Sequence, residues 1–479
     1  MCSSSRAVRW RAIVLGALAA PRSAAAVTDD DVTRAIERSS LMGLSCRSSF
    51  CWLWVATVGA LTAMPSDGAT PGFADFDRRA QQGERLNVVF FGASLTWGAN
   101  ASDPQQTSYR GQVARRLEEA YPSAHFKFHD AAIGATGSQL GVFRLDRDVL
   151  AHRPDLVFLD FSANDDIYSA DPERLASYEA IVRRIILDGH APVVEVILPF
   201  MWNVTQGKIE EMARRRAHLE IAKAYHVPAG DAIALAIERI KAGQTTAEKL
   251  WPVDGVHPGD AGYVLFTDAA WSAFQQGVAQ KLVSAAPEKM LNAATYMKNA
   301  RVRISSLGPL PKGWRVGRPN VVSAYFDMLM SRWLDDEVIA SRYEEAPKEA
   351  AGADAKKPRT PQKVEPLKVR FRGQMVMLFG ESTPTSGKFR ALIDGKVIER
   401  QPDRSKPPLD YFDAGAFGRM VHGNTHLSQL IATGLDPATE HTLEIEPVFT
   451  DDTDEELRIE SICVAGEKAG VTLAPSGKE

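Results

Sequence analysis

The chain has 479 residues, 45% of them hydrophobic and 24% charged, with a formal net charge of −4. That length admits two or three domains with sizeable cores, and so small a charge gives no basis for a nucleic-acid or anionic-membrane partner. Cysteines stand at 2, 46, 51 and 463; three fall in the leader region, so no disulfide framework is expected and Cys463 reads as a buried strand residue.

In chain order, residues 1–69 read as a leader holding two export patterns. Arg6, Arg9 and Arg11 precede a short apolar run, and a stronger pattern follows Met42, with Arg47 ahead of an apolar run reaching Ala63. Met42 is the expected start of translation, with cleavage between Ala60 and Ala69 and a product that is periplasmic or extracellular, without stable membrane insertion. Residues 70–85 are expected to be a linker.

From 86 to 290 strand and helix patterns alternate. Strands are predicted at 87–91, 126–131, 156–161, 192–198 and 227–231, and helices near 108–120, 173–188, 207–225 and 259–280. Such alternation predicts a parallel sheet covered by helices on both faces. Val88–Phe91 lack polar alternation, as a central strand would. Gly92 permits a sharp exit, so Ser94 would stand in the crevice where open α/β sheets bind ligands. A serine after a strand is more often a turn residue or a helix cap.

A serine nucleophile needs a base, a group that orients the base, and donors for the oxyanion. Asp254-Gly255-Val256-His257 supplies the first two if Asp254 folds back onto one imidazole nitrogen and leaves the other facing Ser94; the bland alternative is an exposed loop histidine. Gly134, after the apolar stretch Phe126–Phe128, and Asn164, after the run Leu156–Phe161, are candidate oxyanion donors together with the N–H of Ser94, or else a turn glycine and a helix cap. Pro199 should stop the fourth strand and introduce Phe200-Met201-Trp202-Asn203 as a wall of the cleft, where Trp202 and Trp97 would stack on a sugar or simply pack. Asn100-Ala101-Ser102 and Asn203-Val204-Thr205 match the glycosylation sequon.

After residue 300 short alternating stretches appear at 301–305, 368–372, 374–379, 389–393, 441–449 and 457–464. Asp394-Gly395 marks a hairpin turn. A β-sandwich over 300–470 is expected, with a disordered segment at 344–366, rich in Ala, Lys, Glu and Pro, inserted within it. His422 and His426 read as loop contacts rather than a metal site, because no carboxylate partner is placed beside them.

The order Ser94, Gly134, Asn164, then Asp254 with His257 resembles the SGNH hydrolases, the GDSL-type esterases and lipases, over roughly residues 86 to 282. This resemblance implies a flavodoxin-like three-layer α/β sandwich, with Ser94, Gly134 and Asn164 as oxyanion hole, His257 as base and Asp254 behind it. Two positions depart from the family pattern, Ala93 before the serine and Ser162 two before the asparagine, and both bear on loop packing rather than on the chemistry. GASLTWGA, IGATGS and PDLVFLDFSAND look most like a bacterial secreted subgroup associated with polysaccharide metabolism, and the second domain resembles the jelly-roll modules accompanying carbohydrate esterases. The implied activity is removal of acyl groups, acetyl above all, from an oligo- or polysaccharide, without metal or organic cofactor. A carbohydrate O-acyltransferase, a lipase and a non-catalytic glycan-binding protein are the competing readings.

Overall fold

The computed structural model describes residues 72–320, 334–344, 360–401, 407–451 and 453–474. The proposed leader, both start sites and most of the 344–366 segment lie outside the described residues.

The first elements are α1 (Phe73–Gln81), β1 (Arg85–Gly92), α2 (Ser94–Trp97), α3 (Tyr109–Ala120), β2 (His125–Ala132), α4 (Ser138–Asp148), β3 (Leu156–Leu159), α5 (Pro172–Leu187), β4 (Val193–Ile197), α6 (Met201–Thr205), α7 (Ala213–Ala224), β5 (Ala229–Asp231), α8 (Ala232–Lys241), α9 (Ala247–Leu250) and α10 (Asp260–Ala279). Five parallel strands lie in the order β2-β1-β3-β4-β5, the doubly wound order whose ligand crevice opens between β1 and β3. The apolar run of β1 is explained by its two faces. Val88 and Phe90 enter the core beneath α1, α3, α8 and α10, while Val89 and Phe91 enter the one beneath α4, α5 and α7.

Within the linker expected at 70–85, Phe73–Gln81 instead form a helix. Phe73, Phe76 and Ala80 are buried along one side of α1, and the chain before the helix bridges to the segment after α10, with Phe73 N–H donating to Leu282 O at 3.0 Å. Burial of two phenylalanines, worth roughly 1.5–3 kcal/mol each, overrides the polar composition around them.

The C-terminal part holds two antiparallel sheets. Its elements are β6 (Asn299–Arg303), β7 (Trp314–Gly317), β8 (Glu337–Ser341), β9 (Leu367–Arg372), β10 (Met375–Ser382), β11 (Lys388–Ile393), β12 (Lys396–Val397), β13 (Phe412–Asp413), α11 (Ala416–Val421), β14 (Thr425–Ala432), β15 (His441–Val448), β16 (Glu456–Ala465) and β17 (Gly470–Leu473). One sheet runs β14-β10-β16-β8-β7 with β6 also on β16, and the other β12-β11-β15-β9-β17 with β13 on β11. Both contribute to one core, including Leu378 and Ile462 from the first and Val369, Ala391 and Ile445 from the second. Asp394 and Gly395 both have positive φ, 52° and 76°, as a type I′ hairpin requires.

Strand β10 is buried along its whole length. Val376 and Leu378 face the sandwich core, whereas Met375, Met377 and Phe379 join the same apolar cluster as Val142 and Phe143 of α4. The two parts therefore share a core.

Two sequence expectations need correction here. The ends of the 344–366 segment are ordered, for Glu344 N–H donates to Thr360 O at 3.0 Å and Trp314 Nε1 to Glu365 O at 2.7 Å; residues 345–359 lie outside the described part. His426 is a strand residue of β14, not a loop contact; it is buried beside Phe379 and Phe417, and burial is the main cause that holds its imidazole down at about 3. His422 terminates α11 in the left-handed conformation, φ 55°.

Candidate active site

β1 ends in Gly92, and the chain turns at once into α2. A Cβ at position 92 would lie 2.2 Å from Thr96 Oγ1 and 2.6 Å from the carbonyl oxygen of Asp160, so only glycine lets the turn close against β3. Ser94 opens α2, where its N–H has no acceptor within the helix, and Gly98, at φ 102°, ends the helix with its N–H on Ser94 O at 2.9 Å.

His257 comes from the loop before α10, 163 residues away, and its Nε2 lies 3.0 Å from Ser94 Oγ. Its Nδ1 faces Asp254 Oδ2 at 3.5 Å. The other oxygen, Oδ1, accepts the N–H groups of Val256 and His257, both at 2.7 Å. Burial works against the Asp254 charge, yet these amides, the Asn100 side chain and the neighbouring imidazole together hold its carboxyl below the ordinary aspartate value. Burial lowers the His257 pKa below 6.5, opposed by Asp254. Ser94 and His257 are 2% and 6% exposed, so an entering ester would meet a neutral imidazole in a largely water-excluded setting, which favours general-base chemistry.

Gly134 and Asn164 stand on the loops leaving β2 and β3, the two sheet neighbours of β1. Gly92 pairs with Ala132, so Ser94 and Gly134 each lie two residues beyond the same register point. Ile133 N–H donates to Gly92 O at 3.2 Å and Asp160 N–H to Phe91 O at 3.0 Å, which carries the pairing just past the strand ends. Asp165, next to Asn164, accepts the N–H of Ser138 at 3.1 Å and so ties the third loop to the end of the Gly134 loop. The Oδ1 of Asn164 is buried with no hydrogen-bond partner among the described residues.

Trp202 is 40% exposed. Its ring packs on the backbone of the loop that carries Asp254 and His257, where a Cβ at Gly255 would meet it at 3.5 Å, and α6 is held there by Met201 N–H on Gly255 O at 2.8 Å. Trp97 closes α2, and its carbonyl accepts from Arg110 at 3.2 Å.

Three supporting residues escaped the sequence reading. Arg144 of α4, 1% exposed, donates to Ala131 O at 2.5 Å and Gly92 O at 2.8 Å, bracing the ends of β2 and β1. Asp160 accepts the N–H and hydroxyl of Ser162 at 3.0 and 2.7 Å, and the same hydroxyl accepts Leu198 N–H at 2.9 Å, so the serine that departs from the family pattern knits β3 to β4. Asn100 donates to Asp254 Oδ2 at 2.8 Å. No motif marks an arginine in mid-helix, and the sequon match at Asn100 points to glycosylation rather than to Asp254.

A parallel sheet of this order, with a serine, a histidine and an aspartate meeting at its carboxyl edge, is an SGNH-like α/β architecture. Residues 90–265 match the GDSL-like Lipase/Acylhydrolase family, so the chain carries a GDSL-like acylhydrolase domain, the domain type of a carboxylic ester hydrolase. Among solved structures, the chain is similar to a two-domain esterase (CEX) active on acetylated mannans, with 21% identity and a TM-score of 0.59 over 83% of this chain and 95% of that one. The same esterase co-crystallized with mannopentaose aligns over 84% of this chain and 97% of its own, with 21% identity and a TM-score of 0.61. The shared fold includes the second domain. No curated protein matches the chain. Among the described residues no group of three or more His, Cys, Asp or Glu side chains is placed to hold a metal ion, and no helix is long and apolar enough to cross a membrane.

Proposed function

We propose that the protein is an exported serine esterase that removes acetyl groups from a carbohydrate. The observation that carries this reading is the Ser94 Oγ to His257 Nε2 contact at 3.0 Å with Asp254 behind the ring. Ser94 Oγ attacks the ester carbonyl and its proton passes to His257 Nε2. The imidazolium is stabilised by Asp254 and then protonates the leaving sugar oxygen. Water, deprotonated by His257, attacks the acyl-enzyme and releases acetate with Ser94 restored. The N–H groups of Ser94 and Gly134 and the amide of Asn164 serve as oxyanion donors.

The low exposure of Ser94 favours a small acyl group, and the two-domain likeness to an esterase active on acetylated mannans favours a glycan carrier. In this reading Trp202, beside the catalytic loop, stacks on a sugar ring. The leader pattern after Met42 supports export.

The test is acetate release from p-nitrophenyl acetate and from acetylated manno- and xylo-oligosaccharides by protein from residue 70 onward and its Ser94→Ala variant. We expect Ser94→Ala to lose about 10⁴-fold or more in kcat; retained turnover overturns the mechanism. Preferential acyl transfer to added oligosaccharide over water would reassign the enzyme as an acyltransferase. Export is checked by fractionating the producing cell and sequencing the mature N-terminus, which should begin between residues 60 and 70.

A further inference from the structure

The chain just after the nucleophile is fastened to the loop that carries the base, and the fastening reaches the acid itself. Asn100 has φ 65°, in the left-handed region that asparagine enters more readily than most side chains. This turn brings its amide over residues 254–257, where Nδ2 donates to Asp254 Oδ2 at 2.8 Å and lies 3.4 Å from the carbonyl oxygen of His257. Oδ2 is also the oxygen that faces His257 Nδ1. The Val256 and His257 amides both bind Oδ1, so on their own they leave the carboxylate free to pivot about that atom. Asn100 supplies the missing second anchor.

Three neighbouring contacts hold the same two segments together. Tyr263 hydroxyl donates to Ala99 O at 2.7 Å, Ser102 Oγ to Asp260 Oδ2 at 2.6 Å, and Thr107 Oγ1 to Asp260 Oδ1 at 2.8 Å. The amide nitrogen that a sequon glycan would occupy at Asn100 is therefore engaged inside this clasp.

We propose that Asn100 is a positioning residue: its amide sets the plane of the Asp254 carboxylate, and with it the direction in which Oδ2 meets His257 Nδ1. The inference rests on the reading of Ser94, His257 and Asp254 as a triad. Other ionisable groups at this junction are Asp260 and Tyr263 on α10 and Tyr109 and Arg110 on α3, and none is among the hydrogen-bond donors to Asp254 that the structure shows.

Two variants separate the amide from the backbone it sits on. Asn100→Gly keeps the positive φ and removes the amide; Asn100→Asp keeps the shape and replaces the donor with a second carboxylate. On p-nitrophenyl acetate from about pH 5 to 9, Asn100→Gly should lose about 10- to 100-fold in kcat with KM within about twofold and the thermal midpoint within a few degrees. Asn100→Asp should move the acid limb of kcat/KM upward by up to about one pH unit, because an added negative charge favours the imidazolium. Parental kcat and parental limb in both variants, with Ser94→Ala inactive, overturn this inference alone. A loss in Asn100→Gly that vanishes at a temperature where it is fully folded also overturns it, in favour of a purely structural role. Turnover by Ser94→Ala overturns the triad reading and this inference with it.

Discussion

Burial depresses the His257 pKa, and this sets the pH at which activity is lost. Activity that needs neutral imidazole should be full above the histidine's folded pKa and lost only as pH falls through it, so the acid limb of kcat/KM is expected below the ordinary imidazole value of 6.5. A pH–rate profile on a small ester checks this. Replacing Asn164 by alanine should cost about 2.7–4 kcal/mol of barrier, a fall in kcat of order 10²–10³ with little change in KM. Asp160 behaves oppositely to a paired surface carboxylate. Burial first, with the nearby Asp165 charge adding to it, raises its carboxyl to about 7 against hydrogen bonds from Ser162. A folded pKa above the unfolded one means stability that is present at low pH and lost as pH rises from about 4 through about 7. Asp160→Asn should therefore flatten the decline in thermal midpoint across that window.

At the scale of elements, the turn from β1 into α2 is the most demanding piece of the site. Gly92→Ala would set a methyl against a backbone carbonyl of the adjoining loop, which has nowhere to move; a loss of about 1–3 kcal/mol in stability and a fall in kcat through displacement of Ser94 are expected from denaturant titration and kinetics. The sequence announced this turn through an apolar run that breaks at a glycine, although the serine after it suited a plain turn or a helix cap as well. It did not announce α4. Residues Leu140 to Leu145 are buried one after another, because the helix lies between the parallel sheet and β10 of the sandwich. A helix covered on both sides shows no polar stripe and hence no 3.6-residue signature. α8 was obscured differently: Asp231 both ends β5 and caps the helix, its carboxylate accepting Ala234 N–H at 3.0 Å, so no turn residues separate the two. β14 was passed over because His426, a polar residue by composition, occupies an inward strand position.

Across the whole molecule, the shared core makes the two parts one structural unit. The connecting segment adds to this, for Glu179 on α5 accepts Tyr225 Oη, Leu291 N–H, Asn292 N–H and Asn292 Nδ2, all between 2.7 and 2.8 Å. Phe379→Ala, in the sandwich but facing the hydrolase helices, should destabilise by about 3–5 kcal/mol and shift a single unfolding transition seen by both far-ultraviolet circular dichroism and ester turnover. Two separated transitions would contradict a common core. Cys463 lies in the same interface, fully buried with its thiol pushed up to about 12 by burial, so it should resist aromatic disulfide reagents until the protein unfolds.

The sequence by itself determined the alternation of strands and helices, the segments that carry Ser94, Asp254 and His257, and the loops on which Gly134 and Asn164 stand. These are local properties: a run of apolar residues, a glycine that permits a turn, a carboxylate three residues from an imidazole. Only the tertiary structure decided that β10 is buried on both faces, that Arg144 braces two strand ends from inside a helix, and that Asn100 reaches Asp254 across 154 positions of chain. Each of those depends on which surfaces meet after folding. A buried arginine or a left-handed asparagine acquires its meaning from partners that are distant in sequence, so no window along the chain contains the pair.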